Sequence, residues 1–276
     1  MRLHLAVGTA TEAINVLNDA KYPNILVSYA YKNVINKLDQ EIESFIVDSG
    51  AFSAWNKGKV IDLEGYRDWA LSQQDRPSKK FMAVNLDVIP GEKGRTSSQG
   101  ERIAGIKQSL INADYLRDAG LPIMEVFHQD EPLSFLAELC DRLPVDGVLG
   151  ISPRNDVSVK RKMEWQKVVL RYLIQRYGKS AFPRCHGLAV TSRQMLETFP
   201  YYSVDSSTWV SPAMYGSVVS EEGRLLKIKD NLLPIAPRNQ QTGGLKTVLR
   251  MGVENLIILE RSMTASWTAR GISWKD

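Results

Sequence analysis

An α/β fold closed into a (β/α)8 TIM barrel is what this 276-residue chain predicts. Three observations lead there. Eight short apolar, β-rich runs punctuate the chain, each ending in or followed by a polar residue or a glycine. Polar, helix-favouring stretches separate them, and alternating β and α units argue for a parallel sheet. No G-x-G-x-x-G follows the first run, which removes support from the dinucleotide-binding open sheet. Eight runs in a chain of this length suit one barrel.

In order, the runs are Asn24–Tyr29, Phe45–Asp48, Phe81–Asp87, Ile123–His128, Gly147–Ser152, Cys185–Val190, Tyr202–Asp205 and Asn255–Glu260. Their unbroken apolar character suits strands covered on both faces. Gly100–Ala119 and Ser158–Tyr177 carry helix patterns between them. No linker divides the chain, so residues 1–276 read as one domain. The polar stretch Ser217–Gly244, with its proline and glycines, reads as a small irregular C-terminal addition at about 210–250.

Hydrophobic residues make up 43% and charged residues 24%, which excludes a disordered, collagenous or low-complexity chain. No apolar run approaches the ~20 residues of a membrane span. The opening MRLHLAV lacks a long apolar core and a cleavage site, so no secretory signal is read. Two cysteines, Cys140 and Cys185, cannot make a disulfide framework or a four-cysteine zinc site. They point to a reducing, cytoplasmic setting. A net charge of +4 permits a nucleic-acid partner without demanding one.

Polar residues fall where the runs end. Asp48 closes FIVD, Asp87 closes FMAVNLD, His128 and Gln129 close IMEVFHQ, Ser152 and Arg154 close GVLGISPR, and Asp205 closes YYSVD. In a parallel barrel all strand C-termini open on one face, where catalytic residues gather. An aspartate after a strand is equally a helix cap or a turn former. Three of them at one face make that bland reading less comfortable. Small Ser49 and Gly50 after Asp48 allow close backbone approach to a ligand. Phe52 can stack on a flat ring or pack under the rim. The hydroxyls flanking Asp205 can keep it ionised or cap the next element. Basic residues cluster at Lys160, Arg161 and Lys162, beside Arg154, with further ones at Lys57, Lys59, Arg224, Lys227, Lys229, Arg238 and Lys246. Such groups can neutralise phosphates, and they are also ordinary solvated faces. Trp55, Trp209 and Tyr215 can stack on bases or simply pack.

The segment FIVDSGAFSAW resembles the DSG-containing motif of the tRNA-guanine transglycosylase superfamily. The order of the later segments is similar to that family too: NLD at 85–87, HQ at 128–129, GIS at 150–152, HGLAV at 186–190 and VDSSTW at 204–209. The resemblance spans about residues 45–209 and implies a (β/α)8 enzyme that exchanges guanine in a polynucleotide for a 7-deazaguanine. It implies Asp205 as the nucleophile at C1′ and Asp48 as the general acid/base. Asp87, Gln129 and the neighbouring His128 would meet the base edge. Gly150 and Ile151 would offer backbone groups, Ser49 would border the base, and Phe52 and His186 would sandwich its ring. A carboxylate nucleophile with a proton-transfer partner is what two-step displacement at an anomeric carbon needs. The tRNA enzymes carry a late zinc site of closely spaced cysteines with a histidine; no cysteine follows Cys185 here and no histidine follows His186. The expectation is therefore no metal or other cofactor. Among relatives without that module are compact phage-type DNA enzymes, so DNA is the expected polynucleotide, with tRNA as the alternative and a free 7-deazaguanine base as co-substrate. A phage-encoded enzyme of this kind would act in the host cytoplasm. A barrel glycoside hydrolase using Asp48 and Asp205, or a non-catalytic binding barrel, remain the competing readings.

Overall fold

The computed structural model describes residues 1–39, 41–91, 95, 97–179, 181–210, 213–227 and 241–274. Nine parallel strands form one sheet: β1 (Arg2–Val7), β2 (Asn24–Ser28), β3 (Ser44–Asp48), β4 (Lys80–Val84), β5 (Ile123–Met124), β6 (Val126–His128), β7 (Val148–Ser152), β8 (Arg184–Gly187) and β9 (Ser203–Ser206). The order β5-β4-β3-β2-β1-β9-β8-β7-β6 closes on itself, because β5 and β6 are one extended stretch interrupted at Glu125. Its first half pairs with β4 and its second half with β7, and Glu125 O accepts the Gly150 N–H at 2.8 Å across the seam. The result is an eight-staved (β/α)8 barrel.

The helices follow their strands: α1 (Thr11–Ala20), α2 (Ala51–Asn56), α3 (Leu63–Gln74), α4 (Gln99–Asp118), α5 (Leu133–Asp141), α6 (Val159–Tyr177), α7 (Arg193–Thr198) and α8 (Gln241–Ala269). Two are started by strong sequence signals. Ser98 and Glu101 make a reciprocal capping box on α4, and the Ser158 hydroxyl accepts from the Arg161 N–H on α6. After β9 a short antiparallel hairpin, β10 (Ser217–Val219) with β11 (Leu225–Lys227), sits where the irregular addition was expected.

Strand periodicity separates two cores. Leu26, Ile46, Val84, Met124, Val126, Val148 and Tyr202 fill the barrel interior. Leu3, Leu5, Ile25, Val27, Phe45, Val47, Phe127, Leu149, Ile151 and Val204 face the helices. Above the interior apolar layer, register places His4 beside Asp205, Ser28 beside Asp48, and His128 beside Ser152. The polar layer at the strand C-termini is therefore a product of register.

One strand expectation is corrected, and one strand was not anticipated. The run 255–260 is helical, the middle of α8. Leu249, Val253, Leu256, Leu259 and Met263 are buried at helical spacing, so a six-residue apolar run there is one stripe of a helix. The missing stave is β1, which pairs with both β2 and β9.

Candidate functional site

Three carboxyl groups meet at the C-terminal mouth of the barrel. Asp48 ends β3 and Asp205 sits in β9, both facing inward, while Asp87 lies just past β4. Burial pushes the Asp48 carboxyl up to about 6; the charges of Asp205 and Asp87 push the same way, while the Ser28 hydroxyl and the Gly50 N–H pull it back. That upward push on Asp48 by two neighbouring acids is the electrostatic sign of a shared site. Gly50 donates its N–H to Asp48 Oδ2 at 3.1 Å. It does so from φ +80°, where a Cβ would stand 3.1 Å from Ser28 Oγ, so the DSG turn needs glycine. The Tyr66 hydroxyl lies under this corner and donates to Val84 O at 2.6 Å. Burial, with Asp48 and Asp87, pushes that phenol well up.

Asp205 is held by one oxygen. Its Oδ1 accepts the Ala189 N–H at 2.8 Å and lies 3.3 Å from His186 Nε2. Its Oδ2 has no hydrogen bond among the described residues, so one oxygen is braced and the other is available. Ala189 reaches it from φ +53°, a left-handed conformation costly for a residue with a side chain. His186 Nδ1 lies 2.8 Å from Ser203 Oγ. A carboxylate oxygen can only accept, so His186 Nε2 is the donor to it, while the Ser203 hydroxyl meets the other ring nitrogen. Behind this pair stands His4, its ring 5.8 Å from that of His186 and its Nε2 2.8 Å from Ser44 Oγ. Burial, together with His186, pushes His4 well below the usual histidine range, so it is uncharged. Its Nδ1 is buried without a partner among the described residues.

Asp87 pairs with His128. Nε2 of the ring lies 2.7 Å from Asp87 Oδ2. Burial disfavours the charged imidazole, but Asp87 and Glu131 outweigh it and hold His128 up to about 9. Glu131 accepts the His128 backbone N–H at 2.7 Å, and burial pushes its own carboxyl up to about 7 against the pull of His128.

The other anticipated site residues divide. Gln129 is buried beside the mouth and accepts the Arg154 N–H at 3.1 Å. Phe52 is 49% exposed on α2, its ring 6.0 Å from that of Trp55. His186 does not complete a sandwich with it, because His186 is fully buried with both nitrogens engaged beneath Asp205. Ser49 is also fully buried and donates to Asn85 O at 3.0 Å, locking the β3 end to the segment after β4. Gly150 and Ile151 lie within the ladder: the Gly150 N–H goes to Glu125 O, and Ile151 O accepts from Leu188 N–H. Those two groups do not face the mouth, since β7 runs on to Ser152. A Cβ at Gly150 would stand 3.1 Å from Val126 Cγ2, so this glycine serves packing at the seam.

Lys160 and Arg161 are exposed in the first turn of α6, on the mouth side, and Lys162 is half-buried. Arg154 is gripped by Asp130 at 2.9 Å and by Asp156. Lys57, Lys59, Arg224 and Lys227 are exposed, Lys246 pairs with Asp19, and Lys229 and Arg238 lie outside the described residues. Trp209 is core, donating to Ala6 O, whereas Tyr215 is 88% exposed. Sequence reasoning missed His4, Tyr66, Glu131 and Ala189.

Among the described residues no group of three or more His, Cys, Asp or Glu side chains is placed to hold a metal ion. Burial raises the Cys140 thiol to about 11 and pushes the Cys185 thiol well up, and Cys185 faces the helices while His186 faces the barrel. No helix among the described residues is long and apolar enough to cross a membrane.

These features define a parallel (β/α)8 barrel with a carboxylate cluster at its C-terminal mouth. The sequence matches no protein-family model and no characterised protein.

Proposed function

We propose that this protein is a pentosyltransferase that exchanges guanine in DNA for a 7-deazaguanine base such as 7-cyano-7-deazaguanine. The observation that carries the reading is the pairing of unlike carboxyl groups. Asp205 is braced through Oδ1 with Oδ2 available, and Asp48, in the same mouth, is held up to about 6. Asp205 Oδ2 attacks C1′ of the target nucleotide as the C1′–N9 bond breaks, and Asp48 gives its proton to the departing guanine. The incoming base gives its N9 proton to Asp48, and its N9 displaces Asp205 from C1′. The two inversions give retention. A group that must first give and then take a proton works best when its pKa lies near the working pH, as that of Asp48 does.

Asp87 accepts from the N1–H and 2-amino donors of guanine, and Phe52 covers one ring face. A target in a duplex would have to leave its stack to reach the mouth. Lys160 and Arg161 supply phosphate contacts on the α6 side. Preference for DNA over tRNA rests on the sequence, which lacks the closely spaced late cysteines of the tRNA enzymes. The proposed setting is the cytoplasm.

The test is trapping. Wild-type protein incubated with guanine-containing DNA and quenched in denaturant should yield a protein–DNA adduct, absent in Asp205→Ala. An adduct of equal yield in Asp205→Ala removes the nucleophile assignment, and an adduct with tRNA alone changes the substrate.

A further inference from the structure

We propose that His128, braced by Glu131, is a positioning residue that fixes base specificity by pinning Asp87 through Oδ2, so that the remaining face of that carboxylate accepts two adjacent donors of a guanine-type edge. This rests on the base-exchange reading above.

A carboxylate outside a strand is free to turn about its last bond. Asp87 lies three residues beyond the end of β4, where no ladder holds its side chain. What holds it is the His128 ring, 2.7 Å from Oδ2 and reaching across from β6. A carboxylate has about four lone-pair sites, and His128 uses one of them. Oδ1 has no hydrogen bond among the described residues, so a bidentate acceptor face is left over. A base with N1–H beside a 2-amino group matches that face with two donors. A base lacking the 2-amino group leaves one acceptor unmet, and an adenine-type edge sets its own N1 acceptor against Asp87.

His128 is itself held by its backbone. Its N–H donates to Glu131 Oε2 at 2.7 Å, and its carbonyl accepts the Glu131 N–H at 3.2 Å. Asp130, at φ +80°, makes the turn that brings Glu131 back over His128. The four residues H-Q-D-E therefore form a closed clamp. A buried histidine–carboxylate pair tying two loops together is also a common structural device. The two roles separate in what they predict: a purely structural pair changes stability without changing the preference among bases.

The experiment uses the full chain and labelled guanine exchanged into a DNA oligonucleotide, with unlabelled guanine and hypoxanthine as competitors. Guanine binding to the free protein is measured alongside by equilibrium dialysis, and thermal melts check folding. The wild type should favour guanine over hypoxanthine. His128→Leu should lose about 10-fold or more of that preference, mainly through KM for the base, as expected when a charge-assisted hydrogen bond no longer orients its partner. His128→Gln, which keeps an N–H donor at similar reach, should restore most of the preference. If His128→Leu does not fold, Glu131→Gln keeps a backbone acceptor but removes the charge, and should cut the preference about 3-fold. Wild-type preference in folded His128→Leu, or in Glu131→Gln where His128→Leu does not fold, overturns the positioning role while leaving base exchange intact. Wild-type protein that neither binds nor exchanges guanine overturns the base-exchange reading, and this inference with it. Binding without exchange, with preference in binding lost in His128→Leu, keeps the inference and removes only the chemistry.

Discussion

Replacing Asp48 with asparagine should make the protein more stable at neutral pH while removing most of its exchange activity. The fold raises this carboxyl from 3.8 to about 6, chiefly through burial. In full, that rise corresponds to ~3 kcal/mol. Asp48 is only half-buried at an open mouth, so water reduces it and ~1–3 kcal/mol is the expected range. The sign follows from proton counting. Between about pH 4 and about pH 6 the folded state holds a proton that the unfolded chain has released, so stability falls as pH rises through that window. Above it the full cost of a charged Asp48 stands. Asparagine keeps an oxygen for the Gly50 N–H and carries no charge. Urea unfolding should therefore show Asp48→Asn more stable than wild type by ~1–3 kcal/mol at about pH 7.5 and nearly equal to it at about pH 4. Exchange should fall by a factor of ~10²–10⁴. Equal destabilisation at both pH values refutes the claim that Asp48 is kept at an electrostatic disadvantage for its role.

Asp205→Ala should abolish exchange and the covalent adduct while still binding DNA, as read by gel shift. Gly50→Ala should lose ~1–3 kcal/mol in a denaturant melt, because alanine is strained at φ +80° and crowds Ser28 Oγ at 3.1 Å. Its N–H would then no longer meet Asp48, and exchange should drop with it. His4 should contribute to acid sensitivity: it is kept uncharged in the fold, so the unfolded chain binds the extra proton and stability falls as pH drops below about 6.5. His4→Gln should flatten that slope in pH-dependent melts. Reversing Lys160 and Arg161 to glutamate should weaken DNA binding and lower the slope of log affinity against log salt by about one for each phosphate no longer neutralised.

The sequence made the barrel legible where strands are apolar throughout, as in FIVD, FMAV and GVLGIS. It hid β1, because Arg2, His4 and Ala6 face the barrel interior in alternation with outward Leu3, Leu5 and Val7. A search for unbroken apolar runs passes over such a strand, and His4 was lost with it. It also offered NLIILE as a strand, since a short apolar run does not distinguish a strand from the buried stripe of α8. The three aspartates were readable from their place after apolar runs, because a parallel barrel turns that place into a common mouth. Side-chain direction was less readable. His186 reads as a ring-stacking residue from its motif, but its register beside Ser203 carries it beneath Asp205. Ser49 was singled out as a small residue near a ligand and Gly150 as a backbone contact, whereas Ser49 bonds Asn85 O and the Gly150 N–H is taken by Glu125 O. Glu131 had a local signal three residues after His128. The bond from Ala189 depends on a left-handed backbone that its residue type does not announce.

The central claim is base exchange on DNA, and the most direct measurement is chemical. Duplex DNA, single-stranded DNA and tRNA are each incubated with the protein and 7-cyano-7-deazaguanine, digested to nucleosides and analysed by mass spectrometry. The account predicts the deazaguanine deoxynucleoside from DNA with wild type and none with Asp205→Ala. Incorporation into tRNA alone contradicts the DNA assignment, and no incorporation into any of the three, with no adduct at Asp205, contradicts the account.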